Sequence, residues 1–258
     1  MPQPDSVPLA DVVEYLQRRL QPDRFKDYEG AVNGLQFENN GRVSRIAAAV
    51  DGTPVVVGMA LEARCDLLLV HHGMFWRPMT PWTGHRADLI RRLVQGNLAV
   101  YSQHLPLDGH LELGNAAGLA RALGFRRYKP FFARHEAFIG VQVTLPRPMP
   151  RDELGQRLAT ALGRPPVVLP GGARECRRIG ICTGGAGAEM AQARSEGVDT
   201  FITGEGPHWT YAMAEDLEMN VFYGGHYATE TFGVRSIAEE ISRRFGLPWE
   251  FLDHPTGL

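Results

Sequence analysis

Short apolar runs alternate with amphipathic segments along the 258-residue chain, and this alternation most strongly limits how it can fold. An apolar run between turn residues indicates a buried strand, whereas apolar residues three or four positions apart indicate a helix. We predict strands at 45–50, 66–70, 98–102, 137–146, 178–182, 200–203 and 221–224. We predict helices at 8–20, 54–64, 86–95, 115–124, 151–162, 187–197, 208–217 and 230–245. This order predicts an α/β protein with largely parallel sheets covered by helices.

The stretches between these elements suggest where the chain turns and where its domains meet. The strand at 66–70 is expected to stop at His71. Two proline-rich stretches, 146–150 and 164–170, are expected to be loops. The segment 126–136 separates the two halves, and it predicts one domain over residues 1–128 and another over 129–258.

The two halves resemble each other, which indicates an internal duplication. Each contains the pattern Tyr-x-x-His-x-x-x-acid after a predicted strand. The matching residues are Tyr101, His104 and Asp108 in the first half and Tyr223, His226 and Glu230 in the second. The repeat predicts two similar α/β domains with pseudo-twofold symmetry. Because ligands bind beyond the carboxyl ends of parallel strands, we expect these strand ends to face a shared cleft.

A second alignment within the repeat adds one more residue to the predicted cleft. When Asp66 is laid on Asp199, His72 falls on Glu205. Glu205 is therefore expected to line the same cleft, where it could orient a neighbouring group, contact a substrate or move a proton.

Imidazole and carboxylate side chains collect at the predicted strand ends, and these are the groups that divalent transition metals favour. Two imidazoles and one carboxylate could hold one ion. Four histidines and two carboxylates are enough for two ions, ~3.5–4 Å apart, the arrangement that hydrolyses phosphate or amide groups. Each histidine alone could instead be an ordinary hydrogen-bonded residue, and the two acids could be first-turn residues of helices. The repeated spacing favours the metal site.

Several other classes of function find little support. The net charge is −2 and the basic residues are spread along the chain, so charge does not support a nucleic-acid interface. Three cysteines without Cys-x-x-Cys spacing argue against disulfides or a thiolate zinc site. No Gly-x-Ser-x-Gly nucleophile motif is present. No apolar stretch approaches the length of a membrane span and no signal peptide is recognisable, so we expect a cytoplasmic protein.

The glycine-rich stretch at 182–187, Cys-Thr-Gly-Gly-Ala-Gly, lies between a predicted strand and a predicted helix. Such a turn can hold a phosphate at a helix N-terminus. It lacks the full dinucleotide fingerprint and the P-loop lysine, so a tight connecting turn is the preferred interpretation.

Taken together, these segments resemble the dinuclear-metal-centre family, also named Nif-three-like proteins or GTP cyclohydrolase 1 type 2 homologues. The matching segments are CDLLLVHHGMFW, YSQHLPLDGHLELGNAAGLARALG, CTGGAG, VDTFITGEGPHW and GGHYATETFGV, with AVNGLQF near residue 30. The resemblance implies two similar α/β domains with a dinuclear metal site in the cleft between them. It also implies a homohexameric ring, which nothing in the composition or periodicity indicates.

The resemblance also implies a ligand set. The family's ligands match His71, His72, Asp108, His226 and Glu230. Glu230 would bridge the ions, with His72 and Asp108 on one ion and His71 and His226 on the other. His104 matches a family histidine near the metals and is a candidate proton donor. One departure is the segment Gly73-Met74-Phe75-Trp76, where the family usually has a proline followed by aliphatic and aromatic residues.

The first expectation for function is a metal-dependent hydrolase with two divalent ions per subunit, which could be iron, zinc, manganese or nickel. His104 and Glu205 would move protons, and the substrate would be a nucleotide or a related small molecule. The family name adds GTP ring opening as a candidate reaction. The alternative is a non-catalytic, ring-shaped metal-binding or regulatory scaffold. A DNA-encircling ring has no support from charge.

Overall fold

The computed structural model describes residues 6–76 and 81–258, and the chain forms two compact units. The first unit comprises Met1–Leu107 and Gly233–His254. The second comprises Asp108–Phe232 and Pro255–Leu258. Among the described residues, every helix is too short or too polar to cross a lipid bilayer.

The elements alternate along the chain as the sequence pattern indicates. The strands are β1 (Val7–Pro8), β2 (Gly34–Phe37), β3 (Arg42–Val43), β4 (Ile46–Asp51), β5 (Leu67–His72), β6 (Ala99–Ser102), β7 (Lys129–Arg134), β8 (Ala137–Pro150), β9 (Val167–Pro170), β10 (Glu175–Ile181), β11 (Thr200–Thr203), β12 (Asn220–Tyr223) and β13 (Trp249–Phe251). The helices are α1 (Leu9–Leu20), α2 (Pro54–Glu62), α3 (His85–Gly96), α4 (Leu105–Asp108), α5 (Asn115–Ala122), α6 (Arg151–Leu162), α7 (Met190–Ser195), α8 (Thr210–Asp216), α9 (His226–Thr229) and α10 (Thr231–Phe245). Two short 3-10 helices cover Pro22–Arg24 and Ala186–Glu189.

The first unit is built on a five-stranded sheet in the order β13-β4-β5-β6-β2. The first four of these strands run parallel, and β2 pairs antiparallel with β6. The central strands are almost continuous apolar runs and are buried, as expected for a parallel sheet covered by helices. Helices α2 and α3 provide the crossovers that parallel neighbours require. A small separate sheet pairs β1 with β3.

Local sequence signals explain where the helices of this unit begin. Helix α1 buries one apolar face that contains Val12 and Leu16, as its spacing predicts. Helix α2 begins after Thr53, whose hydroxyl accepts a hydrogen bond from the Val56 amide at 3.3 Å. Pro54 follows in the first turn, where its missing N–H costs little.

The second unit has a six-stranded sheet in the order β7-β8-β10-β11-β12-β9. Strands β10, β11 and β12 are parallel, and the remaining strands pair antiparallel. Its core combines residues of these strands with α5 and α6, including Ala117, Leu158, Ile179 and Phe222. Both units therefore have a mixed α/β fold, as the sequence predicts.

Three details of the secondary structure differ from the prediction. Strand β5 does not stop at His71 but continues through His72, since both residues stay in register beside β4. The helix predicted at 187–197 is a 3-10 turn followed by α7. The helix predicted from 230 begins at Thr231, and Glu230 lies at the junction of α9 and α10.

Most residues of the two proline-rich stretches lie in strands rather than in loops. Residues 146–150 belong to β8, at a place where its pairing with β10 shifts register and beyond its pairing with β7. Residues 167–170 form the edge strand β9. Proline cannot donate to a sheet, but a bulge or an edge does not require that hydrogen bond. The prediction of loops was therefore wrong for 146–150 and for 167–170, and right for 164–166.

The division of the chain also differs from the predicted domains 1–128 and 129–258. Helix α5 packs in the core of the second unit. The chain therefore passes from the first unit to the second between Leu107 and Asp108. The chain then returns, because β13 adds to the first sheet beside β4 and Leu252 joins its core. The return depends on a three-residue strand that the sequence pattern does not reveal.

Candidate metal centre

Strand β5 ends in two histidines whose rings lie close together. The Nδ1 atom of the fully buried His71 is 2.9 Å from the carbonyl oxygen of Gln103. The Nδ1 atom of half-buried His72 is 2.8 Å from Oδ1 of Asp51, which pairs with His72 across β4 and β5. Because both acceptors are oxygens, each Nδ1 carries the ring proton in the neutral ring. Each Nε2 then keeps the lone pair that a metal ion would use.

His104 lies two residues beyond β6 and is held in the same way. Its Nδ1 atom is 2.7 Å from Oδ1 of Asp27, a residue of the segment before β2. The other oxygen of Asp27 accepts hydrogen bonds from the Asn33 side chain and the Leu105 amide. Burial alone would raise the pKa of the Asp27 carboxyl, but the hydrogen bond and charge of His104 outweigh it and lower the pKa to about 2. Asp27 is therefore an ionised, fixed acceptor behind His104.

Three imidazoles converge in the first unit. One ring nitrogen from each of His71, His72 and His104 lies within 4.8 Å of the others. The ring centroids of His71 and His72 are 4.8 Å apart, although neighbouring side chains on a strand normally point to opposite faces. This group could hold a metal ion, and it includes His104, which the family resemblance places near the metals as a candidate proton donor.

In the second unit, His226 lies between two carboxylates. Its Nδ1 atom is 2.8 Å from Oε1 of Glu205, and its Nε2 atom is 3.2 Å from Oε2 of the buried Glu230. Burial alone would lower the pKa of His226, but the hydrogen bonds and charges of Glu230 and Glu205 raise it to about 9. A cation could take the position of the proton between Nε2 and the Glu230 carboxylate.

Asp108 is the other buried carboxylate of the second unit. Its Oδ1 atom accepts hydrogen bonds from Nδ2 of Asn115 at 2.9 Å and from the Thr183 hydroxyl at 3.4 Å. Two neutral donors fix the carboxylate without neutralising it. Asp108 is thus suited to bind a cation, and only three residues of chain separate it from His104.

The glycine-rich turn after β10 packs directly against Glu230. A Cβ atom on Gly184 would collide with Oε1 of Glu230, and Gly184 has a φ of +71°. The carbonyl oxygen of Gly184 accepts hydrogen bonds from the amides of Gly204 and Glu205 at 2.7 and 3.1 Å. The stretch is a tight turn, in agreement with the preferred interpretation, and it shapes the surroundings of the candidate ligands.

Each unit therefore brings together part of the predicted site. The first unit gathers His71, His72 and His104, and the second gathers His226, Glu205 and Glu230 while holding Asp108 separately. The sequence analysis missed Asp27 and Asp51. The position of Asp51 at the end of a neighbouring parallel strand was a usable signal. Nothing in the sequence connects Asp27 with His104, which lies 77 residues further along the chain.

The donor set fits a divalent transition metal. All four histidines have Nδ1 held by an oxygen acceptor, and two buried carboxylates accompany them. The nearby thiol of Cys182 is buried, and burial together with the charge of Asp108 raises its pKa well above the ordinary value, which makes it a poor ligand. Mixed nitrogen and oxygen donors suit iron, manganese, zinc or nickel.

Comparison with known proteins identifies relatives over nearly the whole chain. The model of the Duf34/NIF3 (NGG1p interacting factor 3) family matches residues 7–256. A protein of Halobacterium salinarum is 42% identical over 255 residues, covering 97% of this chain and 99% of its own length. A protein of Deinococcus radiodurans is 39% identical over 245 residues, covering 95% of this chain and 91% of its own length. Both bear the name GTP cyclohydrolase 1 type 2 homolog.

Solved structures give the same result for the fold. The crystal structure of TTHA1606 from Thermus thermophilus superposes with a TM-score of 0.90 at 36% sequence identity. The match covers 98% of this chain and 100% of that chain. The reduced form of HcgD from Methanocaldococcus jannaschii has a TM-score of 0.85 at 21% identity, which speaks for the fold alone.

Proposed function

The chain belongs to the Duf34/NIF3 (NGG1p interacting factor 3) family, and on this basis we propose that it is a divalent-metal-binding hydrolase. The proposed substrate is a nucleotide or a related compound. One observation carries the proposal: the three candidate ligand histidines, His71, His72 and His226, each have Nδ1 held by an oxygen acceptor, which makes Nε2 the nitrogen that would bind a metal ion. The names of the relatives make ring opening of GTP the first reaction to test.

The proposed centre holds two ions and takes ligands from both units of the chain. The proposed ligands are His71, His72, Asp108, His226 and Glu230, with Glu230 bridging. Their chemistry supports this set, since three imidazoles and two buried carboxylates provide enough donors for two ions of this class.

Each proposed role follows from the contacts of a side chain. When bound, two divalent ions supply a nucleophile at neutral pH by lowering the pKa of water, and they polarise a substrate oxygen. Asp51 orients His72 through its hydrogen bond to Nδ1. Asp27 holds His104 with Nε2 available, so His104 can move a proton to or from the substrate. The contact of Glu205 with His226 supports an orienting role, and proton transfer by Glu205 stays a prediction.

We also infer that the two units arose by duplication. Each has three adjacent parallel strands in chain order: β4, β5 and β6 in one sheet and β10, β11 and β12 in the other. The middle strand of one ends in His71 and His72, and the middle strand of the other is followed by Gly204 and Glu205. A histidine follows the third strand in both. These equivalences support the predicted repeat.

Self-association into a homohexamer is a further proposal that rests on the family resemblance, whereas a cytoplasmic location stays a prediction from the sequence. Light scattering on the purified protein tests the homohexamer. A hexamer would have the mass of six chains of 28.6 kDa each. A mass of one or two chains would contradict the proposal.

Metal analysis tests the proposed centre. We expect the isolated protein to contain close to two divalent ions per chain and the Glu230→Ala variant to lose at least one. The matched control is Glu215→Ala, since Glu215 is exposed on α8 and should not alter the metal content. The absence of metal from the wild type, or its full retention in Glu230→Ala, would refute the assignment.

A substrate screen tests the activity. Nucleotides and phosphoesters are incubated with the protein loaded with iron, manganese, zinc or nickel. Turnover should disappear in His72→Ala and Asp108→Ala. Turnover that survives both substitutions would rule out this centre as its source. A protein that binds metal but turns over none of these compounds would instead support the non-catalytic scaffold.

A further inference from the structure

Two exposed aromatic side chains lie beside the imidazole group of the first unit. Tyr28 is 46% exposed and Trp76 is 39% exposed. The ring of Trp76 is centred 4.7 Å from that of His104 and 5.5 Å from that of His72. The ring of Tyr28 is centred 5.7 Å from that of His104. Large aromatic surfaces that remain exposed next to candidate metal ligands are available to a bound molecule.

These rings combine one buried imidazole with two exposed aromatic side chains. His104 is only 8% exposed, whereas the two aromatic residues that contact it stand at the surface. Trp76 lies perpendicular to His104, at an angle of 89°. Tyr28 and Trp76 are centred 6.5 Å apart and inclined at 50° to each other. The inclined rings leave an aromatic face open beside the imidazoles. We name Tyr28, Trp76 and His104 the aromatic cluster.

Asp27 fixes two members of the aromatic cluster, Tyr28 and His104. Oδ1 of Asp27 accepts a hydrogen bond from the Tyr28 amide at 2.7 Å, and the same oxygen lies 2.7 Å from Nδ1 of His104. One carboxylate oxygen thus fixes both the backbone of Tyr28 and the ring of His104. Trp76 is placed independently, four residues beyond the end of β5. A ring and a backbone that are fixed before binding lose little entropy when a flat ligand binds beside them.

We propose that Tyr28 and Trp76 bind a planar heteroaromatic ring of the substrate by stacking, next to His104. This inference rests on the proposed function and narrows its substrate class to compounds that carry a flat, nucleobase-like ring. Stacking on aromatic side chains tolerates different bases, because every base has a π-face. The aromatic cluster therefore selects for the presence of a ring rather than for one particular base.

Binding of a matched pair of ligands tests the proposal on the protein as isolated. Guanosine 5′-monophosphate and ribose 5-phosphate differ by the base, and their affinities are measured by calorimetry. We expect the nucleotide to bind at least about tenfold more tightly than the sugar phosphate. Trp76→Ala and Tyr28→Ala should each weaken nucleotide binding about tenfold and leave ribose 5-phosphate binding unchanged. Trp76→Phe and Tyr28→Phe keep an aromatic face and should retain most of the affinity.

Tyr211→Ala serves as the matched control, because Tyr211 is 48% exposed on α8. It should bind both ligands like the wild type. Equal affinity for the two ligands, no binding of the nucleotide, or unaltered nucleotide binding in both alanine variants would overturn the proposal. Metal content is measured on the same samples. A wild type without metal would contradict the proposed function, whereas normal metal content with no preference for the nucleotide would contradict only the stacking role.

Discussion

At the scale of single residues, a carboxylate behind an imidazole is the recurring device of this protein. Asp51 holds His72, Asp27 holds His104 and Glu205 holds His226, each through Nδ1. A histidine ring has two nitrogens, and fixing one of them decides which is free to bind a cation. The acids therefore shape the candidate centre as much as the histidines do.

Replacing one of these acids should weaken metal binding without unfolding the protein. We expect Asp51→Asn to lower metal affinity by about 10- to 100-fold, because the amide presents a weaker and differently oriented partner to Nδ1 of His72. Competition with a chelator measures the change. Asp88→Asn, on the exposed face of α3, is the control and should bind metal normally. Unchanged affinity in Asp51→Asn would show that the hydrogen bond does not orient a ligand.

The buried Tyr101 should make the stability of the protein fall at alkaline pH. Burial raises the pKa of Tyr101 to about 12 from an ordinary value of 10.0. Its contribution to stability is complete below pH 10 and is lost as pH rises through 12, because only the unfolded state ionises in that window. The free energy of unfolding should fall by up to about 3 kcal/mol more in the wild type than in Tyr101→Phe. Denaturant titrations between pH 9 and 12 provide the measurement, and parallel pH profiles would refute it.

The site residues differ in how far the sequence could reveal them. His71, His72, His104 and His226 follow recognisable strands, so their positions at strand ends were predictable. Asp27 lies in a segment without periodic pattern, and only the folded chain brings it to His104. Contacts of that kind depend on tertiary packing, which local patterns do not encode.

At the scale of elements, the turns decide how closely the chain approaches the candidate ligands. The glycine-rich turn between β10 and the following 3-10 helix approaches Glu230 so closely that a side chain at Gly184 would meet its carboxylate. Its φ of +71° also lies in the left-handed region, where glycine is favoured. This turn therefore supports the site sterically, which explains its glycines without a bound phosphate.

A pair of alanine substitutions separates the effect of the left-handed backbone conformation from the effect of the steric contact with Glu230. Gly184 and Gly163 share a φ of +71°, but a Cβ atom on Gly163 would meet nothing within 4 Å. Gly163→Ala should cost about 1–2 kcal/mol of stability from backbone strain alone. Gly184→Ala should cost more and should also reduce metal content, since Glu230 must move. Thermal denaturation and metal analysis of both variants test this. Equal effects on stability and unchanged metal content would contradict the steric role.

Strands with strong apolar patterns were predictable, and short or edge strands were not. The buried strands β4, β5 and β6 occur close to where the sequence predicts them. Strand β9 and the end of β8 were missed because their prolines suggest loops. A proline in a strand is tolerated when its missing donor faces a bulge or an edge, and that depends on which neighbour pairs there.

At the scale of the whole molecule, the path of the chain is discontinuous. The chain leaves the first unit after Leu107 and returns to it at Gly233. Strand β13 then completes the sheet of that unit. Glu250 on β13 pairs with Arg45 at 2.8 Å, and Leu252 packs into the core of the same unit. The stability of the first unit therefore depends on residues distant in sequence.

Truncating Leu252 should destabilise the first sheet selectively. Leu252→Ala removes a buried side chain and should cost about 2–3 kcal/mol. Leu258→Ala changes the same residue type at an exposed position and should have an effect within about 0.5 kcal/mol. Hydrogen exchange should show lost protection in β4 rather than in β11. Lost protection confined to β11 would contradict the assignment of the returning segment.

This path has a consequence for the order in which the protein is made. The strands of the second sheet all lie between residues 129 and 223, so its last strand is synthesised before β13. Domains generally fold as units during synthesis, at about 5–20 residues per second. The sheet of the first unit therefore keeps one edge open during synthesis until every strand of the second sheet has been translated.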